Sequence, residues 1–106
     1  MAENQNIEWK ESWHDDYLKW ICGFANAQGG RIYIGMNDNG KVIGVPDSKK
    51  LLEDIPNKIT QSLGIVADVN LLTENGKEYI EIDVRFRRDE RGGAAVRDDE
   101  EVLVGP

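Results

Sequence analysis

The stretch Phe24–Val45 constrains the fold of this chain more than any other. It reads as a helix end, a two-glycine turn at Gly29 and Gly30, a buried strand, a tight turn and a second strand. Gly29 stands where a left-handed residue ends a helix at little cost, and Gly30 lets the chain turn back sharply. Ile32–Met36 and Lys41–Val45 are the two strands, joined by Asn37-Asp38-Asn39-Gly40, whose Asn and Gly tolerate positive φ. Gly35 and Gly44 fall inside those strands, where glycine is costly, and so predict a bulge or a close approach of other backbone or a ligand. Gly40 completes the set of structural glycines. The polar residues Asn26, Gln28, Asn37 and Asp38 fall at element ends, where they are displayed.

The flanking segments follow from periodicity. Asn6–Lys10 alternates, with Ile7 and Trp9 on one face and Glu8 and Lys10 on the other, as a short edge strand does. Ser12 is a candidate cap for a helix over Trp13–Ala27, whose stripe runs through Tyr17, Leu18, Ile21, Phe24 and Ala25. A second helical region carries Leu51, Leu52, Ile55, Ile59 and Leu63. Pro56 is expected to divide it, with Asp54 capping a new helix and Gly64 closing it. Val66–Leu72 and Lys77–Phe86 make a second hairpin across Glu74-Asn75-Gly76. The fold class is α+β: a mixed, mostly antiparallel sheet with two helices, in the order β-α-β-β-α-β-β. Residues 1–86 form the domain, and 87–106 a charged tail or exposed hairpin.

Charge limits the function. With 106 residues and a net charge of −7, no global positive field draws a polyanion. Nucleic-acid binding needs a local basic patch, a basic partner or a bridging metal. Lys10, Arg31 and Lys41 are the basic candidates, with Arg31 and Lys41 expected on neighbouring strands where both could meet one phosphate; Asn26 and Gln28 are the polar ones. A single cysteine, Cys22, excludes a disulfide framework, and no apolar run reaches membrane-spanning length, so a cytoplasmic location is expected. The chain has neither phosphate-binding glycine motif, and one histidine with one cysteine all but excludes zinc. Trp9 and Trp20 are expected in the core between helix and sheet. Trp13 is open between packing and stacking on bases.

Carboxylates are the remaining reactive groups. Glu3, Glu8 and Asp38 gather if the first strand lies beside the glycine-rich hairpin, and three such oxygens suit Mg²⁺ or Mn²⁺ able to activate water against a phosphodiester. The competing reading is a solvated acidic surface, and spacing alone favours it.

Three segments together carry a resemblance: Ile7-Glu8-Trp9-Lys10-Glu11-Ser12, then Phe24–Gly30, then Ile34–Gly40 with Val42-Ile43-Gly44-Val45. They resemble the Schlafen AlbA-type domain over about Glu3 to Val84. That family is associated with DNA binding and occurs in bacterial and archaeal proteins described as transcriptional regulators or RecG-helicase-related, and in the animal Schlafen core. The resemblance implies an α+β domain that binds nucleic acid and is usually followed by further regulatory domains. In the animal branch a glutamate pair and a later aspartate form a metal-dependent ribonuclease site, and Glu3, Glu8 and Asp38 are the matching residues here. Asn37 stands where many relatives carry a further Asp. The catalytic animal proteins use a doubled core, so a homodimer would supply a second half to this single copy. Three functions are thus in play: a nucleic-acid-binding regulatory module without catalysis of its own, a metal-dependent ribonuclease, and a dimerisation or interaction domain.

Overall fold

The computed structural model describes residues 6–86. Glu3 and the segment 87–106 lie outside the described residues. Four strands, β1 (Ile7–Lys10), β2 (Gly30–Ile34), β3 (Asp68–Glu74) and β4 (Lys77–Val84), form one sheet in the order β1-β2-β4-β3. β1 runs parallel to β2, and the other two pairings are antiparallel. Helices α1 (Leu18–Asn26) and α2 (Ser48–Leu63) complete the α+β architecture.

Register decides which face each side chain occupies. Ile32 pairs with Ile82 and Ile34 with Ile80, and all four are fully buried together with Ile21, Ile55 and Ile59. Burying each such side chain contributes about 1.5–3 kcal/mol. The opposite face carries the alternate residues Arg31 and Tyr33 of β2 with Tyr79, Glu81 and Asp83 of β4. The alternation of polar Tyr79, Glu81 and Asp83 with apolar Ile80, Ile82 and Val84 along β4 is therefore the alternation between open face and core.

β1 shows what periodicity could not. Its register sets Glu8 beside Ile32 and Lys10 beside Ile34, so these two charged residues share the helix-covered face. Ile7 and Trp9 go to the open face. Trp9, expected in the core between helix and sheet, instead lies across the turn after β2. A Cβ built on Gly40 would sit 2.9 Å from the indole, and Gly40 has φ 79°. Trp20, also expected in the core, is 37% exposed. Trp13 and Tyr17 take the packing role against the core instead.

The helices differ in detail from their sequence reading. A 3-10 turn, Asp15–Tyr17, precedes α1, and Ser12 does not cap it; the Ser12 hydroxyl faces the His14 ring at 3.3 Å. α2 runs unbroken through Pro56 rather than dividing there. Asp54 is no cap: its carboxylate accepts from Lys50 Nζ at 2.8 Å, one turn earlier. The helix continues because Ile55 and Ile59 on either side of the proline are both fully buried, and that burial outweighs one lost backbone bond.

The glycine-rich hairpin is looser than two paired strands. Met36 and Val42 form a single antiparallel bridge, and the N–H groups of Ile43 and Gly44 both donate to the Gly35 carbonyl, at 2.7 and 2.9 Å. That doubled bond is the bulge expected from Gly35 and Gly44. Val45 N–H then donates to the Glu78 carbonyl, so this segment takes over the place beside the start of β4. The second hairpin is tight, with Asn75 and Gly76 both at positive φ, as a two-residue type I′ turn requires.

Candidate nucleic-acid interface

Two separate features come from the residues singled out in the sequence. The first is an open cleft of about 450 Å³ at the end of the sheet where β1 and β2 begin and β4 ends, lined by Asn6, Gln28, Gly29, Arg31, Asp83 and Arg85 among others. Gly29 forms its inner wall. Its N–H donates to the Phe24 carbonyl at 2.6 Å, closing α1, and a Cβ there would meet the Val84 carbonyl oxygen at 2.7 Å. Only a residue without a side chain lets the helix exit pass this close to β4. Gln28 accepts a hydrogen bond from Asn6 Nδ2 at 3.2 Å, which ties the start of β1 to that exit.

Charge in the cleft comes in balanced pairs. Asp68 and Asp83 sit directly opposite each other across β3 and β4, an unfavourable placement for like charges. Arg31 Nε lies 3.8 Å from Asp83, and Arg85 Nη2 lies 3.5 Å from Asp68. Both guanidiniums are largely exposed, at 52% and 76%. Pairs this exposed are worth about 0–1 kcal/mol, so an incoming phosphate competes with the carboxylates at little cost. Next along the open face, the Tyr33 hydroxyl donates to Glu81 at 3.1 Å, and Asn70 donates to the other Glu81 oxygen at 3.2 Å. Burial, then the Glu81 hydrogen bond and charge, push the Tyr33 hydroxyl above its ordinary pKa.

The second feature lies at the other end of β1. Lys10 reaches over two aromatic rings, its Nζ 4.6 Å from the Trp20 centroid and 5.8 Å from that of Tyr17. Those rings are stacked, 4.9 Å apart and 8° from parallel. Trp13 and His14 both meet Tyr17 edge-on. The Trp13 indole N–H donates to Asp15 at 2.8 Å, and that bond, ahead of the nearby Lys58, holds the Asp15 carboxyl below its usual pKa.

The remaining sequence candidates are scattered between structural duties. Asn26 turns back toward its own helix, with Nδ2 3.6 Å from Cys22 Sγ. Asn37 Oδ1 accepts from the N–H groups of Asn39 and Lys41, fixing its turn from within. Lys41 is exposed and level with Asn37, beyond the end of β2, whereas Arg31 lies near that strand's start. Glu8 shares the helix-covered face with Ile32, and Asp38 is exposed in the turn past β2. Among the described residues no three carboxylate, histidine or cysteine side chains gather in a way that could hold a metal ion. Glu8 and Asp38 alone do not form such a set. No helix among the described residues is long and apolar enough to cross a membrane.

Arg85 was not among the sequence candidates. Its signal was there, since the β4 alternation continues through Arg85 on the face of Glu81 and Asp83, but its neighbour Arg31 comes from a distant part of the chain.

Comparison with known proteins places the chain in a family. The N-terminal domain of an ATP-dependent DNA helicase RecG-related protein from Nitrosomonas europaea has the same fold, with a TM-score of 0.66 and 21% identity over 90% of this chain and 73% of that one. The DIP2311 protein from Corynebacterium diphtheriae is similar at a TM-score of 0.61 and 20% identity, over 78% of this chain and 18% of that one. No curated protein matches in sequence. The model of the Schlafen, AlbA_2 family matches residues 3–103, and the chain belongs to that family.

Proposed function

We propose that this chain is a nucleic-acid-binding module of a cytoplasmic regulatory protein, gripping backbone phosphate at the sheet-end cleft. The observation that carries the reading is the pair of exposed guanidiniums, Arg31 and Arg85, on one cleft whose wall is the glycine turn of the helix exit. Guanidinium forks suit phosphate oxygens, and their present carboxylate partners are weakly held. Gln28 and Asn6 add neutral donors beside them. Membership of the Schlafen, AlbA_2 family supports the same reading, as does the likeness to a domain of a protein described as related to a DNA helicase. Transcriptional regulation is the role that fits a small binding module of this family, and a homodimer would double the cleft.

With a net charge of −7, binding depends on this local patch and weakens quickly with salt. Fluorescence anisotropy with labelled DNA and RNA at low salt tests the proposal. The double variant Arg31→Ala/Arg85→Ala is expected to lose at least about tenfold in affinity, since charge-assisted contacts are worth about 1.5–3 kcal/mol each. A wild-type protein with no affinity for DNA or RNA at low salt would sink the proposal. Light scattering on the same samples reads the dimer.

A further inference from the structure

We propose that Tyr17 and Trp20 form a stacking platform for an unpaired base, with Lys10 placed to meet the adjoining phosphate, so that the chain prefers single-stranded nucleic acid to duplex. This deepens the nucleic-acid reading and rests on it, but it uses a different surface. Lys10 lies at the far end of β1 from Asn6 and the cleft.

Three observations converge on that surface. The two rings are already parallel, 8° apart with centroids at 4.9 Å, which is how successive bases stack. The platform is braced from behind: Trp13 meets Tyr17 at 84° and His14 meets it at 72°, so Tyr17 is fixed before any ligand arrives. Trp20 is 37% exposed, whereas the next residues of the same helix, Ile21 and Cys22, are fully buried. A large flat ring is thus held in place and more than a third exposed among the described residues.

The charge beside the rings supplies the other half of a nucleotide. Lys10 Nζ lies 4.6 Å from the Trp20 centroid and 5.8 Å from the Tyr17 centroid, so the ammonium sits over part of the rings. Lys10 is half-buried, and an ammonium on so long a stem can turn to a phosphate that arrives beside the rings. Lys19, the neighbour of Trp20, is exposed. Of the two acids in the preceding turn, Asp15 is occupied by the Trp13 indole at 2.8 Å and by Lys58 at 3.3 Å, while Asp16 acts on the Tyr17 hydroxyl through its charge. A base in a duplex has both faces covered by its neighbours and offers no surface to Trp20. An unpaired base does, and stacking is indifferent to which base it is.

The test is anisotropy with a labelled 20-nucleotide oligothymidine and with a mixed-sequence duplex of the same length, for wild type, Trp20→Ala, Trp20→Phe and Arg31→Ala/Arg85→Ala. Circular dichroism confirms that each variant is folded. Wild type is expected to bind the single strand at least about fivefold tighter than the duplex, in line with stacking on one aromatic ring. Trp20→Ala should lose about tenfold on the single strand and little on the duplex, while Trp20→Phe keeps most of the affinity. If Trp20→Ala weakens both ligands equally, or neither, while the arginine variant weakens both, the platform is wrong and the cleft reading stands. If wild type prefers the duplex, the platform is also overturned. If wild type binds neither, the nucleic-acid reading fails and takes the platform with it.

Discussion

Replacing Gly29 by alanine separates two physical costs that coincide in the central corner of the fold. Gly29 has φ 83° and Gly64 has φ 72°, so a side chain at either is strained by its backbone alone. For an L residue that strain costs about 1–2 kcal/mol. The surroundings differ. Nothing lies within 4 Å of a Cβ at Gly64, but at Gly29 it would meet the Val84 carbonyl oxygen at 2.7 Å and the Phe86 nitrogen at 3.1 Å. Both neighbours are backbone, so the helix exit must move away from β4, an overpacking cost of about 1–3 kcal/mol more. Gly64→Ala is therefore expected to lose about 1–2 kcal/mol and Gly29→Ala about 2–5 kcal/mol. Against a total near 5–15 kcal/mol both variants remain folded enough to measure. In urea, with a slope of about 2 kcal/mol/M, the midpoints fall by about 0.5–1 M and 1–2.5 M. Equal midpoints for the two variants would refute the claim that close approach of β4, rather than backbone conformation alone, demands Gly29.

Two further expectations follow from particular contacts. Pro56→Ala restores a donor to the middle of α2 and should raise the urea midpoint, by about 1–3 kcal/mol of stability; a lower midpoint would mean the proline ring itself serves the packing of Ile55 and Ile59. The Tyr33 hydroxyl, raised by burial and by Glu81, should ionise above the ordinary value near 10 in an ultraviolet titration, and Glu81→Gln should lower its midpoint. Because the folded pKa is the higher one, this contribution to stability is complete below the unfolded value and is lost as pH rises through the folded one. An unchanged midpoint in Glu81→Gln would remove Glu81 as a cause.

The elements were legible in the sequence because local chemistry dictates them: Asn75-Gly76 makes a two-residue hairpin, Gly64 ends a helix, and β4 alternates. What escaped was set by long-range register. Nothing local says that Glu8, rather than Trp9, shares a face with Ile32; that follows from the parallel pairing of β1 with β2. The same pairing sends Trp9 to Gly40 and brings Lys10 to Trp20. Local propensity makes Pro56 a break, while the burial of Ile55 and Ile59 that carries the helix across it is tertiary. Lys41–Val45 alternates like a strand, yet the bulge at Gly35 leaves it one bridge. At the site, Gln28 and Arg31 were identifiable from the glycine turn beside them, whereas Arg85 required knowing that β4 ends next to β2.

The central claim is that Arg31 and Arg85 meet nucleic-acid phosphate, and the salt dependence of binding tests it most directly. Affinity for a labelled oligonucleotide, measured across a salt series, gives a slope of log K on log salt of about −0.7 to −0.9 for each phosphate neutralised. Arg31→Ala/Arg85→Ala should make that slope shallower by about 1.4 to 1.8, the loss of two phosphate contacts. A double variant that keeps the wild-type slope would show that phosphate is not held in this cleft.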